Sequence, residues 1–186
     1  VLLDEGDPES LTDEQRVETL RAYVQRYGTG GWRGLSVPLI QIHRFAAPNL
    51  SEEIRRLWER RVENPEVREI LLDIIAEGRI SECADIAHAV AWDAGASKGE
   101  RLSGLDVLIA VEDPRLVDIA DAMVAEDAGW PDSLTRSATV RMFPRNLSVG
   151  QLCQILAWAR VPKNSVTDLH WQLARLIENL EFDRST

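Results

Sequence analysis

The chain is 186 residues long, with 45% hydrophobic and 28% charged side chains and a formal net charge of −10. That balance belongs to an ordinary soluble globular protein, with enough apolar material for one sizeable core or about four or five helix pairs. No apolar run approaches the roughly 18 residues of a membrane span, and the negative charge is concentrated in residues 63–127, with 16 acids against 5 bases, where it would repel a nucleic-acid duplex or an anionic membrane.

Residues 1–11, which hold Asp4–Glu5–Gly6–Asp7 and Pro8, read as a linker. Without an initiator Met, the chain reads as a piece of a longer protein. Thr12 opens a predicted helix over 12–27, because Gln15 stands three residues on and completes a capping box. Val17, Leu20, Val24 and Tyr27 give it an apolar stripe, and Gly28 ends it. The glycine-rich stretch Gly28–Thr29–Gly30–Gly31 reads as a turn and not as a phosphate cradle. It follows a helix where a P-loop follows a strand, and it lacks the Gly-Lys-Ser/Thr ending.

Four helix pairs follow, over 35–62, 65–94, 100–127 and 132–160, each with a helix A and a helix B. Pro38 fits the first turn of the first helix A, where a missing amide costs little. Asn49–Leu50–Ser51 and Asn146–Leu147–Ser148 stand just before a helix B and read as side-chain caps. Gly95–Ala96–Ser97–Lys98–Gly99 reads as a linker, and Gly129–Trp130–Pro131 as a break. A last helix is predicted over 166–180. Strand-like alternation is absent.

The pairs repeat. Leu72–Asp73 returns as Leu105–Asp106, and Asp85–Ile86–Ala87 as Asp118–Ile119–Ala120, both 33 residues on. Ile54, Ile86, Ile119 and Leu152 form one inward column of helix B, and Trp58, Trp92 and Trp158 another. A fixed period marks a repeat protein, whose units bury their apolar faces against their neighbours. The tetratricopeptide and ankyrin signatures are missing. The prediction is therefore an all-α protein, a right-handed α-solenoid of short HEAT-like helix pairs, with residues 12–186 as a single domain capped by the helices at 12–27 and 166–180.

Chemistry is sparse. Asp85 and Asp118 are repeat equivalents, and so are His88 and Asp121, three residues further on, which shares a helix face with the first position. Asp85, His88, Asp118 and Asp121 are accordingly expected to cluster as an acidic docking groove on the helix B surface, for a protein or peptide partner that is basic. His43, His88 and His170 come without His-x3-His or Cys-x2-Cys spacing, so no metal is expected. No pair of carboxyls is singled out for catalysis. Cys153 shares a column with Ala87 and Ala120, which predicts a buried free thiol and argues against a dyad with His170. Two cysteines make no disulfide framework, which together with the missing signal peptide favours a reducing, cytoplasmic setting. The tryptophan column reads as wedges between helix pairs, while Trp32 and Trp130, in loops, read as the partner contacts.

The linker Leu3–Asp4–Glu5–Gly6–Asp7–Pro8, the capped helix Thr12–Tyr27, Gly31–Trp32 and the unit Leu39 to Leu50 with Arg44–Phe45–Ala46–Ala47–Pro48–Asn49 stand in a telling order. Followed by degenerate helical repeats, they resemble the region after the nucleotide-binding module of bacterial NACHT-type (STAND) NTPases. The scarcity of lysine, only Lys98 and Lys163, also fits a bacterial source. The resemblance implies a non-catalytic sensor or scaffold region with no cofactor, within a larger signalling or defence protein. None of that family's phosphate- or magnesium-binding residues is present. The rival readings are a HEAT-fold enzyme of the DNA glycosylase type, which would need a basic concave face, and a structural spacer without a ligand.

Overall fold

The computed structural model describes residues 7–30, 37–60, 62–159 and 173–174, and every regular element among them is helical. The α-helices are α1 (Asp13–Tyr27), α2 (Leu39–Phe45), α3 (Ser51–Glu59), α4 (Pro65–Glu77), α5 (Ala84–Trp92), α6 (Lys98–Ala110), α7 (Leu116–Val124), α8 (Asp132–Met142) and α9 (Val149–Trp158). None is long and apolar enough to cross a membrane. Of the last predicted helix only residues 173 and 174 are described, and both are helical. Trp32 and His170 lie outside the described residues.

Local chemistry explains most boundaries. Thr12 caps α1, and the Gln15 side chain returns a bond to the Thr12 amide at 2.9 Å. Ser148 and Gln151 do the same for α9. A third capping box, Ser97 with Glu100, starts α6 at Lys98, so the expected linker at 95–99 is shorter than predicted. Asn64 caps α4 by accepting from the Glu66 amide at 3.0 Å. The same side chain donates to the Tyr27 carbonyl at 2.9 Å and so ties the end of α1 to the start of α4. Pro38 is the N-cap residue of α2 and not part of its first turn. Asn49 does not cap α3. A 3-10 turn, Pro48–Leu50, runs directly into that helix, the Ser51 amide donates to the Pro48 carbonyl, and the Asn49 amide group turns instead to the Asp13 carbonyl at 3.4 Å.

The chain forms two compact units, residues 1–116 and 117–186. In the first, α2 packs on α4 and α4 on α6, so the helix A members of three successive pairs touch in order, while α5 packs on α6 and α1 on α3. Their core holds Phe45, Ile54, Leu71, Leu72, Ile74, Ile75, Leu105 and Leu108. Gly104 brings α6 against α5 so closely that a Cβ there would lie 2.7 Å from the Ala87 carbonyl oxygen and 3.1 Å from the Ala91 nitrogen. Arg101, buried beside it, donates through Nε to the Ala91 carbonyl at 2.9 Å and satisfies the end of α5. Residues 7–11, expected as linker, include a 3-10 turn at Pro8–Ser10 held to α2 by Arg44, which pairs with Asp7 at 2.8 Å and Glu9 at 3.1 Å.

The turns after α4 and α6 are the same turn. Arg79 and Glu112 both take left-handed backbone, and the following amides, Ile80 and Asp113, bond back to Ile75 and Leu108 at 3.0 and 2.9 Å. Each partner lies 33 residues from its counterpart.

In the second unit, Ile119, Ala120 and Met123 of α7, Leu134, Ala138 and Met142 of α8 and Leu152 and Ile155 of α9 are buried. Two expectations are corrected here. Trp130 is no surface contact, since its side chain is fully buried. Its amide donates to Asp127 at 2.8 Å, and its carbonyl accepts from the Thr135 hydroxyl at 2.8 Å, which folds the loop inward ahead of α8. Cys153 is exposed and not buried. Where α5 buries the neighbours Ile86–Ala87 and Val90–Ala91, α9 buries single positions, Leu152 and Ile155, and the Cys153 column falls outside that narrower stripe.

Candidate functional site

Asp85 and His88 sit on α5 opposite its buried side, which is formed by Ile86, Ala87, Val90 and Ala91. Asp85 is not a free carboxylate. Arg55, reaching over from α3, donates through Nη1 to its Oδ2 at 3.0 Å, and Nη2 contacts Oδ1 and the Glu82 carbonyl. This bidentate hydrogen bond is the largest influence on the Asp85 carboxyl and holds it below the usual aspartate range. His88 is half-buried, its ring 6.4 Å from that of Trp92 on the same helix. It also contributes positive potential at Asp113, whose carboxyl is lowered chiefly by the hydrogen bond from Arg115.

Asp118 and Asp121 belong to the second unit. Both are exposed on α7, on the side away from Ile119, Ala120 and Met123. The four predicted residues thus occupy the outer sides of their own helices, two in each unit. Among the described residues, no group of three or more His, Cys, Asp or Glu converges in a way that could hold a metal ion.

The densest carboxylate cluster lies elsewhere, on the helix A members. Along α4, Glu66, Glu69, Asp73 and Glu77 recur at three- and four-residue steps, and α6 adds Glu100 and Asp106. Burial, followed by the charges of Glu69, Asp106 and Glu77, pushes the Asp73 carboxyl up to about 6. Glu69 is raised too, by burial and by Glu100 and Glu66. Glu100 is balanced: it completes the α6 capping box, and Arg68 Nε stands 3.0 Å from its Oε1 as an ion-pair contact. The sequence did carry a signal for this cluster. Asp73 and Asp106 are the repeat equivalents in Leu72–Asp73 and Leu105–Asp106, so neighbouring units place like charge at matching positions.

The tryptophans behave as wedges where their contacts are described. Trp58, half-buried on α3, lies under the guanidinium of Arg68 on α4 at 5.0 Å from its ring centre, an arrangement favoured by the ring quadrupole. Comparison of the chain with protein-family models, with curated proteins and with solved structures gives no match in any of the three.

Proposed function

We propose that this chain is a non-catalytic protein-interaction or scaffold module, a right-handed solenoid of short HEAT-like helix pairs that offers acidic side chains to a basic partner segment. The observation that carries the reading is the recurrence of one turn geometry and one buried column at a 33-residue spacing. Arg79 and Glu112 close equivalent turns, and Ile54, Ile86, Ile119 and Leu152 are all buried. Units that bury one side against their neighbours leave the other side free to vary, which is how repeat arrays come to serve as binding surfaces.

The docking residues in this reading are Asp118 and Asp121, both exposed on α7. Asp85 contributes less because Arg55 already neutralises it. The setting proposed from the sequence resemblance, a sensor region within a larger bacterial NACHT-type NTPase, supplies a reason for such a surface: a module beside a nucleotide-driven switch needs partners and no chemistry of its own.

The test uses the full chain and a labelled lysine- and arginine-rich peptide, followed by fluorescence anisotropy. Binding should weaken as salt rises, and D118K with D121K should remove it. Binding that survives the double charge reversal would rule this surface out.

A further inference from the structure

We propose that the packing of α4 on α6 is proton-operated: when the Asp73 carboxyl takes up a proton, like-charge repulsion along this seam falls and the two helices hold together more tightly. The inference does not depend on the partner reading above.

The geometry is that of a packed helix–helix interface edged with one sign of charge. Glu69, Asp73 and Glu77 come from α4, and Asp106 from the helix packed on it. The approach is close at the start of α6, where a Cβ on Gly99 would lie 2.5 Å from Glu69 Oε1. Glycine at 99 therefore admits a carboxylate against the backbone of the first turn of α6.

The cations of the surrounding elements are engaged elsewhere or stand in solvent. From α2, His43 Nδ1 pairs with Glu77 at 2.7 Å, and Arg44 pairs with Asp7 and Glu9. From α4 itself, Arg68 meets Glu100. From α6, Arg101 donates to the Ala91 carbonyl, and Lys98 is exposed. Among the described residues no cation forms an ion pair with Asp73 or Glu69. A half-buried carboxylate flanked by three others has one inexpensive way to lower its energy, which is to accept a proton and donate it in a hydrogen bond to a neighbouring carboxylate.

The sign of the linkage follows. Asp73 titrates near 6 in the folded chain against an ordinary value of 3.8, so the folded state binds the proton more tightly than the unfolded one. The resulting stabilisation is complete below the unfolded value, and it disappears as pH rises through about 6. A separation of two units allows at most about a hundredfold change in the folding equilibrium. Because Asp73 keeps some solvent contact, roughly tenfold is the expected effect.

The experiment measures urea unfolding of the full chain and of D73N between about pH 7.5 and pH 5, together with the titration of the Asp73 side-chain carboxyl carbon by NMR. Relative to D73N, the wild-type folding constant should rise about tenfold on acidification, with slower amide exchange along α6. D106N should retain part of the rise with a lower midpoint. Parallel profiles for wild type and D73N would overturn the proposal, as would an Asp73 carboxyl that titrates near 4. Should D73N fail to fold, D106N and the wild-type NMR titration decide alone.

Discussion

Arg79 and Glu112 stand 33 residues apart, and both hold left-handed backbone, with φ of 47° and 54°. Each ends a helix A, and each lets the next amide bond back across five residues, Ile80 to Ile75 and Asp113 to Leu108. This conformation costs a side-chain-bearing residue about 1 kcal/mol, and glycine adopts it without that cost. Arg79→Gly and Glu112→Gly should therefore each stabilise the chain by up to about 1 kcal/mol in denaturant unfolding, less the extra entropy that glycine gives the unfolded state. Opposite signs at the two positions would show that the turns are not equivalent.

Arg55 and Asp85 form the second relationship with a consequence for binding. Their side chains are 40% and 58% exposed, so the pair should contribute no more than about 1 kcal/mol to stability. Arg55→Ala should leave the unfolding midpoint nearly unchanged. Because it frees Asp85, it should strengthen capture of a basic peptide severalfold, while Asp85→Ala in the wild-type background changes capture little. Weaker capture by the Arg55 variant would mean that Arg55 is itself a contact.

How much of this was legible in the sequence depends on what each feature rests on. Helix starts set by one side chain, Thr12, Asn64 and Ser148, follow from local hydrogen bonding, and two of them were read as capping boxes directly. The column Ile54, Ile86, Ile119 and Leu152 was legible because periodicity reports burial. What periodicity does not report is the partner of a polar side chain. Asp85 looked like a docking residue because nothing in its own repeat reveals that Arg55, 30 positions earlier, reaches it. Asp73 and Asp106 were visible as a repeat match, but their mutual repulsion appears only once α4 and α6 are packed. Trp130 and Cys153 were misplaced for a similar reason. A loop tryptophan can fold inward, and a column average need not hold at a helix that buries a narrower stripe.

Gly104 gives a packing prediction whose sign is set by magnitudes. At an open helical position, Gly→Ala would stabilise by about 1 kcal/mol. Here the new methyl would press on the Ala87 carbonyl at 2.7 Å, which is backbone inside another helix and cannot swing aside. Overpacking of this kind costs about 1–3 kcal/mol, so Gly104→Ala should lower the thermal midpoint. A higher midpoint would mean that α5 and α6 are not so closely packed.

The two cysteines should react at very different rates. Cys83 is fully buried, its thiol 3.6 Å from the Ser51 carbonyl, and burial pushes it up to about 11. Cys153 is exposed. A thiol reagent at neutral pH should label one cysteine per native chain within minutes, the one abolished by Cys153→Ser, and reach Cys83 only after unfolding. Equal labelling rates would contradict the placement of α9.

Glu53 supplies the acid limb of the stability profile. It is buried on α3 and receives both Nε and Nη2 of Arg21 at 3.1 Å, with Arg56 on Oε2. Burial pushes its carboxyl up, but the hydrogen bonds from Arg21 and Arg56, with their charges, outweigh burial and hold it below the ordinary glutamate range. A depressed carboxyl stabilises the fold above its unfolded value of about 4.3 and loses that contribution as pH falls through its lower folded value. Both arginines are more than 40% exposed, so Glu53→Gln should cost about 1–3 kcal/mol at neutral pH, with the difference from wild type closing below about pH 4. Asp73 acts in the opposite sense and at higher pH. If both assignments hold, wild-type stability rises between about pH 7 and 5 and falls below about 4, D73N lacks the rise, and E53Q has a shallower fall. A wild-type profile that declines steadily from neutral pH would refute the Asp73 limb and leave the Glu53 limb standing.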